Sequence, residues 1–232
     1  AYFEEKLERA KQMSPLHLCT PGHPMIDGFS RFGIPAVAID CYDDSTLWNA
    51  VHLDNYGGAY DAASYLLECG HRRIGLLSGG EEWSSGVYRK RGFIQALADR
   101  GIPFDPRLDY NGHFSQFGGY LGARSLLEAN PDITALFAVS DEMALGAIRA
   151  IVDLGLKVPD DISVVGFDGI CVGQNLYPPL TTVETDPYSV GTSACTMLLG
   201  LLESQAEHVA KVEIDVKLVV RGTTRSLERA AH

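Results

Sequence analysis

Short apolar runs alternate with longer amphipathic stretches along most of this chain of 232 residues. Four of the apolar runs lead directly into acidic residues, and they occupy residues 36–40, 136–141, 164–168 and 181–186. Runs of this length, rich in β-branched and aromatic residues, are typical of buried strands in a parallel sheet. Because open α/β sheets bind ligands outside the carboxyl ends of their strands, these acids predict a polar binding edge.

Helix start and stop signals frame the amphipathic stretches between the strands. Residues 56–69, for example, follow Asp54, a plausible N-cap, and end at Gly70. Further helices are predicted over residues 2–12, 85–100, 115–129, 141–154 and 187–203. Strands are predicted near residues 16–19, 35–39, 74–77, 108–110, 135–139, 162–167, 181–184 and 212–220. Strands that alternate with helices in this way predict βαβ units and a doubly wound α/β fold.

The composition is that of an ordinary globular protein with an acidic balance. Apolar residues make up 46% of the chain, and 19 basic against 30 acidic residues give a net charge of −11. Since nucleic-acid affinity depends on lysine and arginine, we expect this segment alone not to bind DNA. The five scattered cysteines predict reduced thiols in a cytosolic protein. No apolar stretch is long enough for a membrane span, and the charged N-terminal residues do not form a signal peptide.

Motifs for metal, phosphate or covalent chemistry are missing from the sequence. The seven histidines lack metal-ligand spacing, and no phosphate loop or nucleophile elbow occurs, so we expect no metal, no cofactor and no catalytic residue. His71 follows a predicted helix end, where a cation would suit the helix dipole. Residues 78–80 (Ser-Gly-Gly) end a strand and form either a plain turn or a close approach to a ligand.

Arg89 is a candidate ligand-binding residue on the pattern alone. It lies on the apolar stripe of its predicted helix and in the first turns, where a cation opposes the dipole. The alternative is an arginine that extends along the stripe to reach solvent. Asp168, which ends an apolar strand, is either a ligand-binding acid or the N-cap of the following turn. Asp141 is interpreted as the N-cap of a helix over residues 142–154.

Several segments, in their order and spacing, resemble the effector-binding core of LacI/GalR-type transcriptional repressors. The matching segments are residues 54–59, 70–75, 89–97, 140–147, 158–168, 178–183 and 220–224. The resemblance implies two Rossmann-like lobes, each with a parallel sheet flanked by helices, and an effector in the cleft between them. It also implies three crossovers, near residue 53, near residues 184–186 and near residues 213–216.

The resemblance also predicts how the chain is divided. Residues 1–52 with 186–212 would form the N-terminal lobe, and residues 53–184 with 214–232 the C-terminal lobe. The helix-turn-helix of the family has no counterpart in the sequence. The first βαβ unit of the N-terminal lobe has none either, because residues 2–12 resemble the second helix of that lobe. We expect that residues are omitted from the sequence rather than that the lobe is incomplete, since a lost central strand would expose two sheet edges.

Matching positions in the family predict a set of effector-binding residues in this numbering. They are Arg89, Asp168, Ser140, Phe114, Asp40, Trp83 and Thr185. Phe114 matches a stacking ring, Ser140 stands where many relatives have asparagine, and Thr185 replaces a longer polar residue. Trp83 is matched more loosely, with simple packing as the alternative, and Asp40 is either a cleft acid or a cap. Substitution of Arg89 or Asp168 is expected to weaken binding with little change in stability, because both would face a solvated cleft.

These observations predict the effector-binding and dimerisation core of a cytoplasmic, non-enzymatic transcriptional regulator. Its partners would be a small polar effector such as a sugar, a second copy of the chain, and operator DNA contacted only through a separate N-terminal domain. One alternative is a periplasmic sugar-binding protein of an ABC transporter. Another is an α/β enzyme that uses paired carboxylates.

Overall fold

The computed structural model describes residues 35–41, 49–81, 83–203 and 209–227. The α-helices in these ranges are α1 (Asn55–Glu68), α2 (Ser84–Asp99), α3 (Gln116–Ala129), α4 (Asp141–Asp153), α5 (Cys171–Gln174) and α6 (Pro187–Glu203). A 3₁₀ helix covers Pro106–Leu108. None of the helices in the described part of the chain is long and apolar enough to cross a membrane. The helix predicted over residues 2–12 and the strand near 16–19 lie outside the described residues.

The strands form two separate sheets. They are β1 (Val37–Ile39), β2 (Asn49–Leu53), β3 (Ile74–Ser78), β4 (Asp109–Asn111), β5 (Ala135–Ala138), β6 (Ser163–Asp168), β7 (Thr181–Glu184), β8 (Lys211–Ile214) and β9 (Lys217–Val219). The larger sheet has the order β4-β3-β5-β6-β7-β9, with parallel pairing from β4 to β7 and an antiparallel β9. The smaller sheet has the order β1-β2-β8, and β1 and β2 are parallel. The predicted α/β class is confirmed.

The chain divides into two compact units. The smaller unit contains Ala1–His52 and Pro187–Ile214, and the larger contains Leu53–Asp186 and Asp215–His232. The chain therefore passes between the units three times. The assignment of these units to the N-terminal and C-terminal lobes of the family stays a prediction.

The hydrophobic core of the larger unit is built on its central strands. All residues of β3 and β5 are buried, as are the first five residues of β6. Strands of a parallel sheet covered on both faces need apolar side chains at consecutive positions, which explains the uninterrupted apolar runs. The carboxyl ends of β3, β5 and β6 thus lie side by side at one edge of the sheet, where polar residues follow each strand.

Two pairs of helices approach so closely that only glycine fits between them. A Cβ atom on Gly92 of α2 would overlap the carbonyl oxygen of Tyr56 in α1 and lie 3.0 Å from the Tyr60 nitrogen. A Cβ atom on Gly146 of α4 would likewise overlap the carbonyl oxygen of Gln116 at the start of α3. These contacts involve backbone atoms, which cannot rotate away as a side chain can.

Three features differ from the elements that the sequence predicts. Strand β2 was not predicted, because Asn49 and His52 interrupt its apolar run, although Ala50 and Val51 are buried. The single extended segment predicted over residues 212–220 is two strands, β8 and β9, which belong to different sheets. The short helix α5 carried no periodic signal, since four residues complete little more than one turn.

His71 is a buried structural residue, but it is not the helix-end cation that the sequence suggests. Its Nε2 donates to the carbonyl oxygen of Arg225 at 3.1 Å, so its Nδ1 accepts from the hydroxyl of Thr134 at 2.9 Å. Burial lowers the pKa of His71 below its ordinary value near 6.5. The hydrogen bond to the Arg225 carbonyl oxygen opposes this shift, whereas the charges of Arg225 and Arg72 add to it. The imidazole is therefore neutral near pH 7.

The neutral state of His71 predicts a loss of stability in acid. Because the folded-state pKa is lowered, the unfolded chain takes up the proton first. The contribution of His71 is complete above pH 6.5 and is lost as the pH falls through the folded-state pKa. The loss is about 1.4 kcal/mol for each unit by which the pKa is lowered. Urea unfolding between pH 8 and pH 5 should show that the free energy of unfolding falls less steeply in acid for His71→Gln than for the parent. Parallel curves for parent and His71→Gln would contradict the prediction.

Candidate functional site

Arg89 is the centre of a buried polar cluster at the carboxyl edge of the larger sheet. Its side chain is 5% exposed. Its Nη1 donates to the Asp168 carboxylate at 2.9 Å and to the carbonyl oxygen of Val139 at 2.6 Å. Its Nε donates to Asn55 Oδ1 at 2.7 Å, and its Cζ lies 3.7 Å from the centroid of the Phe167 ring. The alternative of an arginine that extends to solvent is therefore wrong.

This burial also corrects the expected effect of mutating Arg89. A guanidinium removed from water is stable only while its donors are paired, so its loss leaves several polar groups unpartnered. The premise that Arg89 faces a solvated cleft is wrong, so we expect its removal to lower stability. Asp168 is different, since its side chain is 33% exposed and its carboxylate can be reached from solvent.

Asp168 lies on strained backbone at the end of β6. Its φ angle is +115°, a region that residues other than glycine rarely adopt. The hydroxyl of Thr185 donates to the carbonyl oxygen of Asp168 at 2.9 Å, and the Thr185 nitrogen donates to the same oxygen at 3.3 Å. Ile170, rather than Asp168, is at the N-cap position of the next helix, so the capping alternative for Asp168 is wrong. Thr185 thus supports the backbone that places Asp168.

Backbone strain coincides with the predicted site residues. The described residues other than glycine with positive φ are Asp40, His113, Phe114 and Asp168. Three of these four were predicted to bind the effector. Such conformations cost on the order of 1–3 kcal/mol each and tend to cluster at functional sites. Within the larger unit, the strain at Phe114 and Asp168 is therefore an independent reason to place a binding site at this edge.

The Phe114 ring lies between Arg89 and Trp83 in a chain of contacts. The Phe114 ring centroid is 6.0 Å from Arg89 Cζ and 5.9 Å from the Trp83 ring centroid, with the two rings inclined at 70°. A Cβ atom on Gly79 would overlap the Phe114 ring, so glycine makes room for that ring. The Ser-Gly-Gly segment after β3 is therefore a close-approach point for Phe114.

The roles of Ser140 and Asp141 at the start of α4 differ from those that the sequence suggests. Ser140, not Asp141, is the N-cap of α4, and its hydroxyl accepts from the Met143 nitrogen at 3.3 Å. Asp141 is the first helical residue and is fully buried. Its carboxylate accepts from the Thr182 hydroxyl at 2.6 Å and from the Ile170 nitrogen at 2.8 Å. Burial raises the pKa of Asp141 to about 6.

The structure brings most of the predicted residues together. Arg89, Asp168, Phe114 and Trp83 form a chain of contacts, and Thr185 bonds to the backbone of Asp168. Ser140 directly follows Val139, whose carbonyl oxygen accepts from Arg89. Asp40 belongs to the smaller unit, where its nitrogen donates to the Val51 carbonyl oxygen at 2.8 Å. The effector-binding role of each of these residues stays a prediction.

Sequence reasoning missed Asn55, Phe167 and the carbonyl of Val139. Asn55 follows the N-cap Asp54, whose carboxylate accepts from the Gly57 nitrogen as predicted, so a second polar residue there is not needed for capping. A polar residue with no capping role at this position was the signal that the sequence offered for Asn55. Phe167 is indistinguishable in sequence from any buried strand residue, and a carbonyl group has no sequence signal. Within the described ranges, no three histidine, cysteine or acidic residues are grouped to hold a metal ion.

Comparison with known proteins gives the family. The sequence model of the periplasmic binding protein-like domain matches residues 63–224. The chain belongs to this family. Among members of known function, the HTH-type transcriptional repressor CytR of Escherichia coli strain K12 is 43% identical over 179 residues, which cover 76% of this chain and 52% of that protein. The chain therefore spans about half the length of this relative.

Solved structures of LacI-type regulators are similar to this domain. The complex of the transcriptional regulator CelR with cellobiose has a TM-score of 0.84 and 30% identity, over 88% of this chain and 63% of that chain. A LacI family transcriptional regulator from Enterococcus faecium, with bound ribose, has a TM-score of 0.81 and 28% identity, over 88% of this chain and 75% of that chain. The resemblance of this periplasmic binding protein-like domain to the LacI-type effector-binding core is confirmed.

Proposed function

We propose that this domain is the sensory core of a transcriptional regulator and binds a small neutral sugar at the carboxyl edge of its larger sheet. The contact between Arg89 and Asp168 carries the proposal. A carboxylate accepts from sugar hydroxyl groups and a guanidinium donates to their oxygens, so the pair suits a ligand with neighbouring hydroxyls. Phe114 supplies an aromatic ring for the apolar face of a sugar ring.

The relatives support regulation rather than transport or catalysis. CytR is an HTH-type repressor, and the solved LacI-type structures were determined with cellobiose or ribose bound. In the longer protein, a DNA-binding domain would contact the operator while this domain senses the sugar and forms a homodimer. The regulator would act in the cytoplasm and would have no enzymatic activity. The ligand would control DNA binding through its different affinities for two states of the protein.

A sugar screen followed by a charge-removing substitution tests the proposal. Thermal melting with cellobiose, ribose and a panel of other neutral sugars should reveal at least one that stabilises the protein. Asp168→Asn keeps the size of the side chain and tolerates positive φ, but it removes the charge that accepts from hydroxyl groups. We expect calorimetry to show binding at least about tenfold weaker. Substitution of the exposed Asp160 (Asp160→Asn) is the control and should bind normally. Absence of any stabilising sugar, or unchanged affinity in Asp168→Asn, would contradict the proposal.

A further inference from the structure

Asp141 is a buried acid whose contacts converge on the segment that carries Asp168. Its side chain is fully removed from solvent at the start of α4. One carboxylate oxygen accepts from the Thr182 hydroxyl at 2.6 Å. The other accepts from the Ile170 nitrogen at 2.8 Å, and the Gly169 nitrogen donates to the carboxylate as well. The ligand contacts proposed above do not use this acid.

The three donors belong to parts of the larger unit that are distant in sequence. Thr182 is on β7, whereas Gly169 and Ile170 form the turn that leaves β6 directly after Asp168. The carboxylate also packs against Gly166 of β6, where an added Cβ atom would overlap its Oδ1. A single buried carboxylate thus joins α4 and β7 to the turn beyond β6.

Because the two amides follow Asp168 in the chain, holding them restricts the backbone on the C-terminal side of the strained residue. Thr185 holds the carbonyl oxygen of Asp168 itself. We propose that Asp141 is a positioning residue for ligand binding, which holds the turn over residues 168–170 and so fixes the Asp168 carboxylate on Arg89. The effect on the turn is independent of the ligand, whereas the effect on binding rests on the proposed function.

The charge state of Asp141 decides how well it holds the turn. Burial raises its pKa, the hydrogen bonds from Thr182, Ile170 and Gly169 oppose this rise, and the nearby Asp168 carboxylate adds to it; the resulting pKa is about 6. Among other acids on the surrounding elements, Glu142 is exposed and Glu184 of β7 is paired with Arg221. A protonated carboxyl group has less acceptor capacity, so the turn loosens as the pH falls below about 6.

Nuclear magnetic resonance of the whole chain tests the effect on the turn. In the parent, the Gly169 and Ile170 amide signals should titrate with a midpoint of about 6. In Asp141→Asn, the side-chain oxygen can accept from the turn while the amide group donates to Thr182, so the titration should disappear and hydrogen-exchange protection should remain. Asp141→Ala should lower the protection of both amides at least about tenfold at pH 8. Glu142→Gln is the matched control and should titrate like the parent.

Thr182→Val provides a second test if Asp141→Ala does not fold. It removes the hydroxyl that favours the ionised carboxylate, so the midpoint for the turn amides should move to higher pH. Unchanged amide protection in Asp141→Ala, or an unchanged midpoint in Thr182→Val, would overturn the proposal.

Calorimetry with cellobiose and ribose then links the turn to binding. For either sugar that binds the parent, Asp141→Ala should weaken binding about tenfold or more at pH 8. Asp141→Asn should match the parent at pH 8 and bind more tightly than the parent at pH 5.5. Equal affinity of parent and Asp141→Ala would overturn the positioning role. If neither sugar binds the parent, the choice of these sugars as ligands fails, while the amide signals still decide whether Asp141 holds the turn.

Discussion

Replacing Arg89 with alanine is expected to weaken sugar binding about a hundredfold or more and to lower the free energy of unfolding by roughly 2–4 kcal/mol. The substitution removes donors from Asn55, from the Val139 carbonyl and from Asp168 at once. The first two acceptors lie in buried contacts, so their loss of a partner costs free energy in the protein without ligand. Partial exposure of Asp168 reduces the stability cost, because water can solvate its carboxylate.

Two further variants show whether the geometry or the charge of the Arg89 side chain is responsible for binding. Arg89→Lys keeps the positive charge but loses the planar fork that bonds several acceptors at once, so it should recover little of the binding. Arg91→Ala, at an exposed position two residues further along the same helix, should melt and bind like the parent. Calorimetry measures the sugar affinity, and urea unfolding measures the free energy of unfolding. Tight binding by Arg89→Ala would show that the ligand lies elsewhere.

Gly92→Ala is expected to destabilise the protein by about 3 kcal/mol, at the upper end of the usual cost of overpacking. The added methyl group would overlap the Tyr56 carbonyl oxygen, so α1 and α2 must separate. Separation would disturb Asn55 and Arg89, which α1 and α2 carry, and weaker ligand binding should follow. Urea unfolding measures the change in free energy.

The matched control is the same substitution at a helical glycine with open space around it. A Cβ atom on Gly191 of α6 would meet nothing within 4 Å. Because alanine is favoured over glycine inside a helix, Gly191→Ala should stabilise α6 by about 0.5–1 kcal/mol. Similar effects of the two substitutions would show that contact between α1 and α2 does not require glycine.

The elements of the larger unit could be predicted because their signals are local. Buried parallel strands appear as uninterrupted apolar runs, and Asp54 and Gly70 mark the two ends of α1. Strand β2 has mixed polarity, and it is recognised only through its pairing with β1 and β8. The incorrect prediction that Asp141 rather than Ser140 is the N-cap of α4 has a similar cause. Both residue types can cap a helix, and the contact with Thr182, 41 residues away, decides between them.

The candidate site could be predicted in part for the same reason. A cation on an apolar stripe marks Arg89 as unusual within its own helix. Its partners cannot be found in this way, because Asn55 and Val139 lie 34 and 50 residues away in sequence. The strain has no local signal either. Phenylalanine rarely adopts positive φ, and the φ of +115° at Asp168 lies outside the left-handed region that aspartate tolerates.

The last described residues of the chain have a consequence for the order in which the protein forms during synthesis. Thr223 donates to the Val164 carbonyl oxygen in central strand β6, and Arg225 accepts from buried His71. The larger unit therefore becomes complete only after Pro187–Ile214, which belongs to the smaller unit, has been made. A nascent chain that already contains β3 to β7 still has an unclosed sheet edge and an imidazole without its carbonyl partner. During that interval, β7 is an edge strand whose backbone groups await pairing with β9.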